Sequence, residues 1–470
     1  MAIFYNEGET KRRPGVYQRH TNAGGAINAS AQDGICAIPV RAKWGPLGKV
    51  VTNASATELA KNYGSGTYEA GCTVPAAAAM FAGGASTVYT YRLGTGGKAA
   101  TLTIGESVTV TAKYVGSLPI SVAVQAKLGD ETKKHLHVYV GTALVESFTF
   151  EADGKAEGAN LAAATANSQY VTITGTVETV PAVAVSAGAL TGGEDPTVTN
   201  ADYSAAFAAL ETYHYNTIAL DVDDDENLTL SHLLQEYLAN AYKYGKLAIA
   251  VYGEKTSVAF ATRAQHAKAF NDAKAVYLGG GYMAGTENRD GVLAICYTAG
   301  VIASTPSNQG ITHTAITGAT DLCESLTYAQ YEEAIASGML MLSMSPDGVI
   351  WFDSGVNTLV VPADDQDEGW KKIRRVKTRF EIVDRLDRAL APKVGKVPAS
   401  HDGIADIIQD GQRILDMMAN EGKLATGPVF MEDPNNPYTG DSAWFVIQVD
   451  DIDSLEKIYL QYQFRYSQQA

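Results

Sequence analysis

Thr217-Ile-Ala-Leu-Asp-Val222, Leu247-Ala-Ile-Ala-Val251 and Ala275-Val-Tyr-Leu278 are short apolar runs separated by helical stretches, Thr229 to Tyr244 and Ser257 to Phe270. With Ile218, Leu220, Ile249 and Val251 at their centres, the runs read as strands buried on both faces. Strands alternating with helices in this way predict a largely parallel sheet flanked by helices. A helix at Tyr203 to Thr212 leads into the pattern. A helix near Arg289 to Ala303 and strands at Met339 to Met344 and Val349 to Phe352 extend it. Upstream, a strand at Ile35 to Val40, helices at Ala56 to Tyr63 and Val74 to Phe81, and a strand at Thr87 to Tyr91 belong to the same mixed α/β body.

Between about Gly96 and Gly193 the composition shifts to Thr, Val, Ala and Gly. Alternating runs fall at Thr101 to Ile104, Ser107 to Tyr114, Ile120 to Ala126, Leu136 to Val140 and Tyr170 to Thr174. Short strands at such spacing predict a small all-β domain inserted into the body. Beyond the body, two helices are expected at Trp370 to Ala391 and His401 to Asn420. The second carries Ile404, Ile407, Ile408, Ile414, Leu415 and Met418 on one face and needs a packing partner. The chain closes on two strand candidates, Ala443 to Val449 and Lys457 to Tyr466. In the latter Ile458, Leu460, Tyr462, Phe464 and Tyr466 fall on one face and Lys457, Tyr459, Gln461, Gln463 and Arg465 on the other. Two strands alone in water are marginal, so their apolar side needs cover from the body or from a neighbouring copy, and strand addition to another sheet is an established binding mode. A truncation after Gly440 is expected to leave a folded body without this connector. The divisions are an N-terminal arm (1–25), a first body segment (26–95), the β-rich insertion (96–195), a second body segment (196–365), a helical segment (366–440) and a C-terminal strand arm (441–470).

At 470 residues with 46% hydrophobic content the chain has material for several cores, and a net charge of -16 argues against a chain-wide affinity for nucleic-acid phosphates. It has no apolar run of about 18 residues to cross a membrane. The start lacks the basic and apolar regions of a signal peptide, which predicts synthesis and residence in a cytoplasm. Cys36, Cys72, Cys296 and Cys323 are scattered and fit reduced thiols.

An α/β body invites a search for chemistry. Gly279, Gly281 and Ala284 have GxGxxA spacing after a strand, but Gly285 to Gly291 does not begin an apolar helix and no acid follows about 20 positions on, so a glycine-rich turn is expected. A phosphate loop is absent. Asp221, Asp223 and His266 could be imagined in a hydrolase triad, yet no activated-serine context accompanies them. The run Asp221 to Glu226 lacks the glycine and final glutamate of a calcium loop and reads as acids starting the next helix. His135 and His137 share a strand face, where two imidazoles can bind zinc; without a third ligand nearby the reading is a solvated face. No catalytic, cofactor or metal site is therefore expected. One cluster stands out: Lys371, Lys372, Arg374, Arg375, Lys377 and Arg379, directly after Asp364-Asp365-Gln-Asp367-Glu368, form a basic helix in an acidic chain. Two readings stand, a solvated charged helix and a docking surface for acidic parts of identical neighbours, weakened by salt.

Arg13-Pro14-Gly15-Val16-Tyr17, then Phe81-Ala-Gly-Gly84 followed by Val88-Tyr89-Thr-Tyr91-Arg92, then Leu190-Thr-Gly-Gly193 before Asp202-Tyr203, and the stretch from Trp370 through Arg388 to Tyr466 stand in an order that resembles the contractile tail sheath proteins of bacteriophages and phage-tail-like bacteriocins. The resemblance covers most of the chain. It implies an α/β (α+β) sheath core with an inserted small all-β domain protruding outward and extended N- and C-terminal arms. It also implies a structural subunit, not an enzyme and without cofactors, that polymerises as stacked hexameric rings around an inner tube and contracts. The implied partners are further copies of the chain, the tail tube protein, and baseplate and tail terminator proteins, with no nucleic acid and no membrane. Synthesis in a bacterial host cytoplasm and assembly into a virion tail or phage-tail-like particle follow from the same resemblance. Arms adding strands to adjacent subunits would use Arg13, Pro14, Gly15, Val16 and Tyr17 at one end and Trp444, Phe445, Ile447, Val449, Ile458, Leu460, Tyr462, Phe464 and Tyr466 at the other. The competing readings are an α/β hydrolase-like enzyme and a surface lattice protein.

Overall fold

Side-chain alternation along the parallel strands decides the layering. In the computed structural model, which describes residues 3–4, 17–18 and 33–464 except 70, 225 and 365, Cys36, Ile38, Val40, Ile249, Val251, Val276 and Leu278 point into one core and Ala37, Ile218, Ala250, Tyr252, Ala275 and Tyr277 into another. The sheet between them runs Met339–Leu340, Ala275–Leu278, Ile249–Gly253, Thr217–Ala219, Ile35–Val40, Thr87–Arg92, Val50–Asn53. Every pairing is parallel except that of Val50–Asn53, which lies antiparallel on Thr87–Arg92 and closes one edge. Helices Asn200–Leu210, Thr229–Tyr242 and Phe260–Phe270 cover one face. Val74–Ala82 and Val292–Ser304 cover the other. The last of these is buried from Val292 to Ala303 apart from Leu293, as befits a helix apolar on all sides. Its close approach to Val74–Ala82 depends on Gly83 and Gly300: a Cβ on Gly300 would lie 2.1 Å from the Met80 carbonyl oxygen.

The insertion holds two three-stranded antiparallel sheets. One consists of Ile120–Lys127, Asp130–Val140 and Ala143–Glu151, the other of Thr101–Ile104, Val108–Ala112 and Val171–Thr174. Their inner faces, with helix Glu157–Ala164, enclose a core of Val108, Val110, Val122, Val124, Leu136, Val138, Leu161 and Val171. Trp44, from the loop after the first body strand, completes that core by stacking on Tyr170 at 5.7 Å and meeting Tyr114 edge-on at 5.0 Å. Buried Arg92 fixes that loop by donating to the carbonyls of Ala42 (2.9 Å) and Gly45 (2.7 Å).

The chain divides into two compact units, residues 32–380 with 451–470, and residues 1–31 with 381–450. The elements above belong to the first. In the second, helix His401–Asn420 finds the partner its apolar face requires: Ile414, Leu415 and Met418 pack with Ile382, Leu386 and Ala389 of helix Ile373–Leu390 and with Phe430. Phe430 lies so close to the helix that a Cβ on Gly411 would come within 2.6 Å of its ring. It sits in strand Val429–Glu432, which pairs antiparallel with Phe445–Gln448. Beneath this core is a network of four charges. Arg385 binds Glu421 (2.7 and 2.9 Å) and Glu381 (2.5 Å), and Lys423 binds the same two carboxylates at 2.6 and 2.7 Å. Burial opposes the Arg385 charge, but Glu421 and Glu381 outweigh it and raise its pKa.

Helices and strands deviate from the sequence expectations in definite places. Strand Ala143–Glu151 was hidden by a bulge between Leu144 and Glu146 that breaks its period of two. The expected strand Met339 to Met344 is two pieces: Met339–Leu340 joins the large sheet and Leu342–Met344 pairs with Ile350–Phe352. The expected terminal strand pair does not form among the described residues. Phe445–Gln448 takes Val429–Glu432 as its partner, and residues 452–464 carry no regular structure.

Candidate functional site

At the carboxyl ends of the parallel strands the order of connection reverses between Ile35–Val40 and Thr217–Ala219, the position where open α/β sheets hold ligands. Here that position is filled by side chains. Asp221, fully buried, accepts from Thr73 Oγ1 at 2.5 Å and from the Tyr203 hydroxyl at 2.7 Å, and Arg41 donates to the same hydroxyl at 3.0 Å. Burial pushes the Asp221 carboxyl above its ordinary range, partly offset by the Thr73 and Tyr203 hydrogen bonds. His266 is occupied elsewhere, by Glu254 at 2.7 Å, which also accepts from Tyr277. Asp223 pairs with Lys255 at 2.9 Å. The residues of the hydrolase reading therefore serve separate structural networks. Asp224 accepts from the backbone of Leu230 and Ser231, capping helix Thr229–Tyr242 as its sequence context suggested. Gly279 to Ala284 forms the strand-to-loop turn expected of it, leading into Tyr282–Ala284.

The second candidate lies where the first unit's final helix meets the chain's closing segment. The basic cluster is engaged within the chain. Arg375 grips Asp451 with two hydrogen bonds of 2.7 Å, and Arg379 joins it at 3.3 Å while binding Asp367 at 2.9 Å and lying 4.5 Å over the Trp370 ring. Lys372 pairs with Glu456, which also accepts from Thr312 Oγ1 at 2.9 Å. Arg374 donates to Ser454 Oγ and to the Ser307 carbonyl, Lys377 to the carbonyls of Ile302 (2.5 Å) and Thr305, and Lys371 binds Glu368 at 2.8 Å. Arg374 and Lys377 are buried. The acids the sequence reading assigned to neighbouring copies thus have counterparts close in the same chain, Asp451 and Glu456, because the acidic segment after Gln448 turns back onto this helix.

From Glu456 onward the character changes. Leu455, Ile458, Tyr459, Leu460, Tyr462 and Phe464 are between 70 and 94% exposed. The alternating residues named as a strand face solvent without regular structure as far as Phe464, and Arg465 and Tyr466 lie outside the described residues. Of the other arm residues, Arg13, Pro14, Gly15 and Val16 also lie outside them, while Tyr17–Gln18 pairs in parallel with Ile3–Phe4. In the second unit Phe445 stacks near Phe430 (5.3 Å), Val449 packs against the same core, and Trp444 and Ile447 are 45 and 41% exposed. That hairpin has two strands only among the described residues: the edge of Val429–Glu432 gives its Phe430 N–H to Gln412 Oε1 at 2.9 Å, and the edge of Phe445–Gln448 has no strand beside it.

Burial alone would raise the Asp451 carboxyl, but the Arg375 hydrogen bonds and the Arg379 charge outweigh it and hold it below the usual carboxylate range. A depressed folded pKa means that this attachment is fully present above the unfolded value of about 3.9 and is lost as pH falls through the folded value. Hydrogen exchange over residues 451–456, corrected for intrinsic rate, is expected to stay slow from neutral pH to about 4 and to accelerate only below it. In Arg375→Ala it should be fast already at neutral pH. Equal protection in the two proteins would mean that the ion pair does not hold the segment.

Residues 196–358 match the family model described as the phage tail sheath protein central domain. Two Bacillus subtilis (strain 168) proteins are similar over most of their length: YqbK, 25% identical over 448 residues covering 88% of this chain and 90% of that protein, and the phage-like element PBSX protein XkdK, 25% identical over 483 residues covering 97% and 98%. The crystal structure of the sheath tail protein from Desulfitobacterium hafniense superposes with a TM-score of 0.70 at 22% identity, covering 93% of this chain and all of that one. Residues 196–358 thus match a phage tail sheath central domain, and the fold around them is similar to that of a sheath tail protein.

Proposed function

We propose that copies of this chain polymerise as stacked hexameric rings around an inner tail tube, and that the sleeve contracts to drive the tube through a target envelope. The observation that carries the reading is the closing segment: anchored through Asp451 and Glu456 on the basic helix, then exposing an unbroken alternation from Ile458 to Phe464. An exposed apolar segment of this kind is a liability unless another chain covers it. In the two-stranded hairpin of Val429–Glu432 and Phe445–Gln448, the edge of Phe445–Gln448, beside half-exposed Trp444 and Ile447, is the acceptor proposed for a neighbour's segment. Donor and acceptor are different patches, so the contact is heterologous and propagates into a ring or helix instead of closing a dimer. The N-terminal arm, from Arg13 to Tyr17, is proposed to add to the same mesh. The basic helix would exchange Asp451 and Glu456 for a neighbour's acids on contraction, and the 96–195 insertion would protrude outward. Tube, baseplate and terminator proteins are the further partners proposed, and the sleeve needs no catalysis: its energy would be stored in a metastable extended form.

Electron microscopy of the purified chain at moderate salt is the test. Hollow tubes of uniform width are expected. Dispersed monomers, even with tube and baseplate proteins added, would overturn the reading.

A further inference from the structure

Insertion and body are joined by two linkers and one loop. The linkers run antiparallel, bridged between Thr95 and Thr197, between Lys98 and Glu194 and between Thr101 and Thr191. Gly94, Gly96 and Gly97, at the body end of this ribbon, have positive φ values of 107, 72 and 80°. A two-stranded ribbon is marginal by itself and glycine leaves the backbone free, so on the linkers alone the insertion would swing, as domains on slender connections do. The third connection is the loop after strand Ile35–Val40, whose Trp44 lies buried in the insertion's core between Tyr114 and Tyr170. We propose that this loop, from Arg41 to Gly45, is a pin that locks the insertion on the body, so that the two move as one lever and the glycine-bearing ribbon does not act as a hinge.

A pin must be held at both ends, and this one is. On the body side, besides the two hydrogen bonds from Arg92, the Arg41 N–H donates to Thr73 Oγ1 at 2.7 Å and the Thr73 N–H to the Arg41 carbonyl at 2.8 Å. Lys43 pairs with Glu69 at 2.6 Å. Gly45 lies so close to helix Ala56–Tyr63 that a Cβ there would stand 2.4 Å from the Asn62 carbonyl oxygen. On the insertion side the Leu118 N–H donates to the Lys43 carbonyl at 3.2 Å, and a Cβ on Gly116 would come within 2.0 Å of the same oxygen. The Trp44 ring is closed in by a packed core, where side chains interdigitate and do not slide. Asp195, on the returning linker, accepts from Ser117 N–H at 2.8 Å and from its hydroxyl at 2.7 Å, which ties the ribbon to the same turn. Body, loop and insertion belong to one compact unit. From this junction strand Ile120–Lys127 leads to the exposed Leu128 at the far hairpin, roughly 25 Å away at about 3.3 Å per residue. A turn of the first body strand is carried undiminished to that tip, and a load on the tip returns to Ile35–Val40. The lock belongs to the single chain and stands whether or not copies polymerise.

The test is pulsed electron paramagnetic resonance on the full chain, with spin labels on Thr52→Cys in the body and Leu128→Cys at the tip, both exposed positions. Cys323→Ser removes the one native cysteine that is not buried. A single narrow distance peak is expected. Trp44→Ala, which cuts the pin at its insertion end, and Arg92→Met, which loosens it at its body end, should both lose that narrowness, and Trp44→Phe should keep it. Hydrogen exchange at Val122 and Leu136, buried in the insertion, reports whether its core stays folded. Where Trp44→Ala loses that core, Arg92→Met, which keeps the ring in place, decides alone. The proposal is overturned by a broad distribution in the chain with Trp44 and Arg92 intact, or by a peak that stays narrow in Arg92→Met.

Discussion

Truncation after Glu456 is expected to yield a chain that folds as the intact one does and fails to form tubes. Residues 457–464 contribute exposed side chains and no regular structure, so their removal takes nothing from a core. What it removes is the segment proposed to add as a strand to a neighbour. About five backbone hydrogen bonds at roughly 1 kcal/mol net each would weaken every contact by about three to four orders of magnitude, before counting Tyr462 and Phe464. Cutting after Gly440, which the sequence alone recommended, confounds two effects. That cut also deletes Phe445 and Val449 from the core around Phe430, strips Val429–Glu432 of its partner, and removes Asp451 and Glu456 from the basic helix. The thermal midpoint of the chain cut after Gly440 should fall, while that of the chain cut after Glu456 should stay within error of the intact chain. Long tubes formed by the Glu456 truncation would refute the role given to the segment.

Arg385→Met is the second large effect, on stability. Arg385 is 2% exposed and lies between two carboxylates that it shares with Lys423. Its removal leaves two carboxylates facing one ammonium in a desolvated site, and breaking such a network on one side typically costs about 3–5 kcal/mol. For a domain of roughly 100 residues each kcal/mol lowers the midpoint by about 4–8 °C. Differential scanning calorimetry should show the loss, with exchange rising in helix His401–Asn420. A change below about 1 kcal/mol would mean that the network only breaks even against its own desolvation, the outcome expected when all four charges are replaced together.

The body was legible because its strands are buried on both faces. Ile218, Ile249, Val276 and their neighbours leave no alternation to misread, and each helix between them has one side to hide. The closing segment was legible in pattern and misleading in consequence. Alternation from Ile458 to Phe464 identifies a strand's chemistry but not which chain supplies its partner. Phe445 found its partner at Val429–Glu432, a run too short to signal itself. The basic cluster misled differently: charge count separates neither Arg374 and Lys377, buried on backbone carbonyls, from Arg375 and Lys372, which clasp acids more than 70 positions away. Distance in sequence hides such pairs. Nor could composition reveal that Asp221, placed where many sheets of this kind open to a ligand, is sealed by Thr73 and Tyr203.

The anchoring of Glu456 makes the segment beyond it a leash of fixed length. Ten residues, Lys457 to Tyr466, extend at most roughly 33–36 Å. A receiving sheet edge must therefore stay inside that radius of Lys372 for as long as the link holds. Any rearrangement of the sleeve that carries neighbours farther apart has to release Asp451 and Glu456 first and let out more chain. The ion pairs on the basic helix would then act as a cleat, setting how far one ring can travel from the next before the line runs free.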